Sequence, residues 1–323
     1  MKNPDFVSVL ADRFSDYVDF RRLGGVDPDR QIGLLRFFDR FLDQEGFRGR
    51  WPTPQVIERY VAATQHLHPG NRTNRFSVVR QFCRYLRQFE PQCVVPEKML
   101  LRRPFHVPHI YSENQVKAIL EAARQLRPVD SLRPKTYFTL FGLLYTTGIR
   151  CGEAFALNLS DVDLEQNLLF FHEGKFGKSR WVPVSSSTSA MLQRYAQQRE
   201  RLAPALPESP LFITRNGRRL YHTAVTWAFR QVLKDCGLRG GKGSPGPRLH
   251  NLRHSFACNR LLAWYREGKD VQRLLPAIAT YLGHVKLTST QVYLQATAEL
   301  LEEANQRFLD NFRQNITPKG ERA

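Results

Sequence analysis

Residues 248–257 read RLHNLRHSFA, and residues 281–295 read YLGHVKLTSTQVYLQ. How these two runs are understood decides how the rest of the chain is understood. His250, Arg253, His284 and Tyr293 stand among apolar residues at near-helical spacing. His250 and Arg253 are three apart, so a helix places them on one face. Leu249, Leu252, Phe256 and Leu261 can then turn toward a core. Gly283 and His284 follow the apolar run IATYL, where a helix can end, and Tyr293 comes nine positions after His284 in a short segment of its own. A cation, two imidazoles and a phenol are thus carried on elements that pack. An anionic centre would be met there by the fixed fork of an arginine and by a phenol able to act as a nucleophile. The plainer reading is a solvated HxxR face and a tyrosine that only packs, so the remainder of the chain has to decide.

Composition points toward a polyanion. The chain has 323 residues, 42% of them hydrophobic, and a formal net charge of +18. That length suits two domains or one large one, and that charge makes nucleic acid the first candidate partner. Charge indicates affinity for phosphate and says nothing of the chemistry. The five cysteines, Cys83, Cys93, Cys151, Cys236 and Cys258, are scattered, odd in number and form no CxxC pair. This pattern argues against a zinc site and against a disulfide framework. The first residues, MKNPDFVSVLADRFSDYVDF, carry acids throughout and lack the apolar core of a signal peptide. No run reaches the length of a membrane span. The expectation is a soluble, cytoplasmic protein with no membrane partner.

Along the chain, residues 1 to about 90 read as four helices. Phe6, Leu10, Phe14 and Val18 recur every four residues, and Ile32, Leu35, Phe38 and Leu42 form a second stripe. Thr53 and Pro54 read as the N-cap and first residue of a third helix. A fourth runs through NRFSVVRQFCRYLRQF, with Phe76, Val79, Phe82, Cys83 and Leu86 toward a core and Arg72, Arg75, Arg80, Arg84 and Arg87 mostly off that stripe. Residues 91–110 contain four prolines and read as a linker. Ser112 and Gln115 then form a capping box before VKAILEAARQL. The apolar helix YFTLFGLLYTTG ends at Gly148, and IRCGEAFAL is a short helix. Residues 168–171 and 180–184 read as a hairpin joined by HEGKFGKS. A helix over 188–201, a short strand LFIT, a helix over 223–236 and a glycine-rich basic loop over 237–247 follow. That loop lacks the GxxxxGK[ST] pattern, so it does not read as a nucleotide-binding loop.

Two further features join the opening runs: Arg150 with Glu153 in TTGIRCGEAFAL, and Lys175 in GKFGKSRWVPV. Each is weak alone, since Glu153 suits the first turn of any helix and Lys175 suits any surface turn. Together, TGIRCGEAFALNLSDVD, GKFGKSRWVPV, LHNLRHSFA and LGHVKLTSTQVYLQ, in this order, resemble the phage-integrase or Xer-like tyrosine recombinases over roughly residues 110 to 310. The resemblance implies a mainly α fold with a small β-sheet (α+β). It implies a helical, SAM-like core-binding domain with its linker over 1–104, clamping DNA, and a catalytic domain over 105–323. It also implies the active set Arg150, Lys175, His250, Arg253, His284 and Tyr293, with Glu153 at the acidic support position. Lys178 is the rival of Lys175, which is preferred because it follows Gly174 as the family pattern does. The spacer between Arg253 and His284 is several residues longer than in compact members, which leaves the path around Trp264 to Gln272 open.

The implied activity is site-specific recombination, with cleavage and rejoining of DNA strands through a 3′-phosphotyrosine, in integration or transposition of a mobile element. The implied partners are double-stranded recombination sites, a homo- or hetero-tetramer on DNA, and accessory proteins or partner recombinases. The helix TAELLEEANQRFLDNF, with Leu300, Ala304, Phe308 and Phe312 at fourfold spacing, either packs on its own domain or docks on a neighbouring protomer. Neither cofactor nor metal is expected, because the cations suffice for charge stabilisation and no carboxylate cluster for two metals is visible. The rival readings are a type IB topoisomerase, which shares the nucleophile and arginines but works as a monomer, and a DNA-binding relative without catalysis. The presence of all six residues weighs against the latter.

Overall fold

The computed structural model describes residues 6–25, 28–97, 108–174, 178–240, 246–284, 288–295, 300–307 and 309. The chain divides into two compact units, Met1–His106 and Val107–Ala323.

The first unit is helical: α1 (Ala11–Leu23), α2 (Asp29–Gln44), α3 (Pro54–Ala63) and α4 (Pro69–Leu86). The two apolar stripes and the inner face of α4 meet in one core, where Phe14 stacks on Phe82 with ring centroids 4.3 Å apart. Thr53 caps α3 by accepting from the Val56 N–H, with Pro54 at the first helical position, as the sequence predicts. α4 starts at Pro69, ahead of the stretch read as helical, because a proline at the first turn loses no hydrogen bond. The arginines of α4 are not one uniform solvated face. Arg75 lies over the Phe37 ring at 3.7 Å, and Arg80 Nε donates to the Pro96 carbonyl, while Arg84 and Arg87 are exposed.

The second unit carries α5 (Glu113–Arg124), α6 (Leu132–Thr147) and α7 (Cys151–Ala156), then β1 (Val162–Asp163), β2 (Leu168–Gly174) and β3 (Lys178–Pro183). It continues through α8 (Ser186–Glu200), α9 (His222–Asp235), α10 (Asn251–Arg266), α11 (Val271–Leu282), α12 (Thr288–Gln291) and a 3-10 turn over Val292–Gln295. Ser112 and Gln115 form the expected capping box at α5. α6 is apolar around most of its circumference and is accordingly buried, packed against α5, α8 and α10. The sheet is antiparallel in the order β1-β2-β3. Leu169, Phe171 and Val182 point into the core, while Phe170 and Trp181 meet on the outer face with ring centroids 4.7 Å apart. The fold is thus mainly α with a small β-sheet, as expected.

One local expectation needs correction. The run LFIT is buried over Leu211–Ile213 but forms no named strand. Only isolated bridges flank it, Asn158 with Pro210 and Ile213 with Arg219. Its backbone bonds go to scattered acceptors, such as the Leu157 carbonyl for the Leu211 N–H, so no ladder develops. β1 is a strand of two residues, too short for a period-2 pattern to reveal. The long spacer before His284 becomes the end of α10, a turn closed by Gly268 at φ +72°, and α11, whose start is capped by Asp270. Residues 300–307 are helical and held within this unit. Leu300 is buried, Arg307 donates to the Lys269 carbonyl and Arg266 pairs with Glu303. Phe308 and Phe312 lie outside the described residues. Among those residues, no helix is long and apolar enough to cross a membrane.

Candidate active site

Three chain reversals meet at one point of the second unit, and Arg253 ties two of them together. It is 3% exposed. Its Nη1 donates to the carbonyl of Gly148 at 2.7 Å, at the end of α6. Its Nη2 donates to the carbonyl of Leu282 at 2.8 Å, at the end of α11, and to His284 Nε2 at 2.9 Å. Gly148 and Gly283 end their helices in the left-handed conformation, at φ +61° and +68°, which turns these carbonyls inward.

Arg150 is the extended residue before α7. Its backbone N–H and its Nη1 both donate to Glu153, at 2.9 and 2.8 Å, and its Nη2 donates to the Gly283 carbonyl at 2.6 Å. Arg180, on β3, donates to both oxygens of the same carboxylate, at 3.0 and 2.9 Å. Gly283 is required twice over. Besides its positive φ, a Cβ there would stand 2.9 Å from Arg180 Cζ and 3.2 Å from Arg150 Nη1. Burial alone would raise the Glu153 carboxyl, but hydrogen bonds and charge from Arg180 and Arg150 outweigh it and hold it below its ordinary range.

His284 Nε2 faces Arg253, which can only donate, so this nitrogen accepts and Nδ1 carries the proton toward Thr290 Oγ1 at 2.8 Å. Its imidazole is pushed down to about 4, first by burial and then by the charges of Arg253 and Arg150. His250 immediately precedes α10, with its ring edge-on to His254 at 4.8 Å. Enclosure, then the charges of His254, Arg253 and Arg150, push it down to about 4 as well. The outer part of His250 is open to water, which softens that shift. Both rings are therefore neutral at pH 7.

Tyr293 is 3% exposed. His284 stacks on it at 6.1 Å, and His254 leans on it at 5.4 Å. Burial raises its phenol, and the neighbouring Arg253 charge offsets this only in part. A cavity of about 820 Å³ opens beside Arg150 and His250 and is also lined by His222, Arg230, Arg239 and Arg248.

The structure therefore brings together Arg150, His250, Arg253, His284 and Tyr293, with Glu153 beneath Arg150. Lys175 lies outside the described residues. Lys178 opens β3, paired with Gly174. Three neighbours were not singled out from sequence: Arg180, His254 and Thr290. For Arg180 a signal existed. It shares a strand face with buried Val182, and an arginine on a core face requires a buried acid. His254 and Thr290 gave none. Among the described residues, no three His, Cys, Asp or Glu side chains stand together as a metal-binding group.

Comparison with known proteins shows the family of the chain. Residues 110–299 match the profile of the phage integrase family. A protein of Sinorhizobium fredii that carries the name integrase/recombinase, y4rB, is 37% identical over 93% of this chain and 97% of its own length. The tyrosine recombinase XerA of Pyrococcus furiosus is 26% identical over 95% of this chain and 96% of its own. Among solved structures, the Tn1549 transposon integrase in complex with circular intermediate DNA superposes with a TM-score of 0.68. That match is 17% identical and covers 94% of this chain and 99% of the other. The four motifs, the meeting of three of them at Arg253 and these similarities lead to one conclusion: the chain belongs to the phage integrase family, the tyrosine recombinases.

Proposed function

We propose that this protein is a site-specific DNA recombinase of a mobile element, that Arg150, Lys175, His250, Arg253, His284 and Tyr293 are its active residues, and that it works as a tetramer on two sites in the cytoplasm. The observation that carries the reading is the convergence of Arg150, Arg253, His284 and Tyr293 from separate elements around the two helix ends.

In the first step, Tyr293 Oη attacks the scissile phosphorus and the bond to the 5′-oxygen breaks. The phenol, with an ordinary pKa of about 10, must give up its proton. His250, neutral at pH 7, is the acceptor. Arg150 and Arg253 retain guanidinium N–H groups beyond those spent on protein carbonyls and on Glu153. These N–H groups hold the non-bridging oxygens as charge builds on them. His284 Nε2 now accepts from Arg253, so it donates to the phosphate only after that guanidinium turns toward its ligand and Nε2 gains a proton, either by transfer of the ring proton from Nδ1 or by protonation of the ring. Lys175, by resemblance, gives its proton to the departing 5′-oxygen, which leaves as a hydroxyl. The phosphotyrosine conserves the phosphodiester, and a 5′-hydroxyl of a second strand reverses the step without ATP.

The helical unit carrying Arg84 and Arg87 is the second half of the DNA clamp, over residues 1–104. A nicked duplex that loses a short fragment after cleavage traps the intermediate. A denaturation-resistant adduct that maps to Tyr293 is expected, whereas a metal-dependent or non-covalent product would refute the reading. Exchange between two separate sites distinguishes recombination from topoisomerase action.

A further inference from the structure

We infer that Arg180 is the positioning residue that aims Arg150 at the phosphate, acting through Glu153; the inference rests on the function proposed above. Arg180 lies opposite Phe171 on the core-facing side of β3, where a guanidinium cannot remain without partners. It forms two parallel hydrogen bonds to Glu153 and a third from Nε to the Tyr281 carbonyl at 3.3 Å. All three nitrogens face protein acceptors, so Arg180 is held by the protein and not offered to DNA.

Glu153 is equally committed. Its side chain is 8% exposed, and Oε1 is shared between Arg150 Nη1 and Arg180 Nη1. A carboxylate held on one side only would turn about its own bonds. The paired bonds from Arg180 fix its plane, and that plane fixes the direction in which Arg150 points. Gly283 permits the arrangement by letting both guanidinium groups pass where a side chain would stand. β3 is also paired with β2 at Gly174 and Lys178, so the same tether anchors that end of the strand pair.

Single-turnover cleavage of nicked DNA tests this. Arg180→Gln is expected to bind DNA as wild type does and to cleave about 10²-fold more slowly, the usual cost of a reacting group displaced by about 1 Å. In an Arg150→Ala background the same substitution should add nothing, because the group it aims is gone. The pH profile supplies a readout that a purely structural role would leave unmoved. Glu153 is faced by Arg150, Arg180, Arg253 and Cys151, and losing Arg180 removes its strongest partner. Arg180→Gln should therefore lose rate toward acidic pH where wild type does not, and Arg180→Lys, which keeps the charge, should recover part of it. An equal loss in both backgrounds, or an unchanged pH profile, overturns the inference. If wild type itself forms no adduct, the proposed function falls instead. A crystal structure of Arg180→Gln then decides the tether: Arg150 displaced from the Gly283 carbonyl supports it, and Arg150 unmoved overturns it.

Discussion

Arg253 links two helix ends, besides the place at the reacting phosphate proposed for it above, so truncating it should cost stability as well as rate. Arg253→Ala removes the donors of the Gly148 and Leu282 carbonyls, both in buried residues. A buried acceptor left unpaired costs roughly 1–3 kcal/mol, which gives about 2–6 kcal/mol for two. Relief of the buried charge and entry of water offset part of this, leaving about 2–4 kcal/mol. For a unit of this size each kcal/mol lowers the Tm by roughly 2–4 °C, so a fall of about 4–16 °C is expected. Arg150→Ala is the control. Its side chain is 26% exposed, it serves one carbonyl, and Glu153 keeps Arg180. Its Tm should fall by no more than about 4 °C, the lower edge of the range for Arg253. Both variants should lose about 10²–10³-fold in the rate of adduct formation, the usual cost of one donor to a developing oxyanion. Thermal unfolding followed by circular dichroism, with the trapping assay beside it, separates the two. If Arg253→Ala melts with wild type while losing cleavage, its bonds to the helix ends contribute nothing and the reasoning is wrong. Cleavage at near wild-type rate would remove Arg253 from the site altogether.

Tyr293→Phe keeps the ring that packs between His254 and His284, so DNA affinity should persist while the covalent adduct disappears; an adduct on denaturing gels would place the nucleophile elsewhere. His284 has a folded pKa of about 4 against an unfolded value of about 6.5, so the unfolded chain binds more protons between these values. Stability should therefore be full above pH 6.5 and fall toward pH 4, with a shallower fall in His284→Gln; identical Tm-against-pH curves would contradict this. A sulfur in place of the 5′-bridging oxygen leaves without protonation, so it should rescue Lys175→Ala far more than Arg150→Ala. Rescue of Lys178→Ala in its place would identify Lys178 as the acid. Cleavage should continue in EDTA, and loss in chelator restored by magnesium would overturn the proposed chemistry.

The sequence alone determined the elements and the candidate residues. The stripes through Phe14 and Phe38, the caps at Thr53 and Ser112, and the helix end at Gly148 are local features, fixed by residues within a few positions of one another. Arg150, Arg253, His284 and Tyr293 were legible because they sit in three of four ordered motifs. Tertiary structure alone decided what those residues touch. Arg253 is bound to carbonyls 105 and 29 residues away, and no spacing rule reaches so far. The same holds for Arg180, 27 residues from Glu153, and for the proton on His284, which follows from Arg253 occupying its other nitrogen. LFIT shows the opposite limit, since an apolar run becomes a strand only where a neighbour offers a ladder, and here the neighbours offer single bridges. Local propensity and pattern are encoded in contiguous residues; a site is made of hydrogen bonds between chain reversals, and those exist only once the chain has closed on itself.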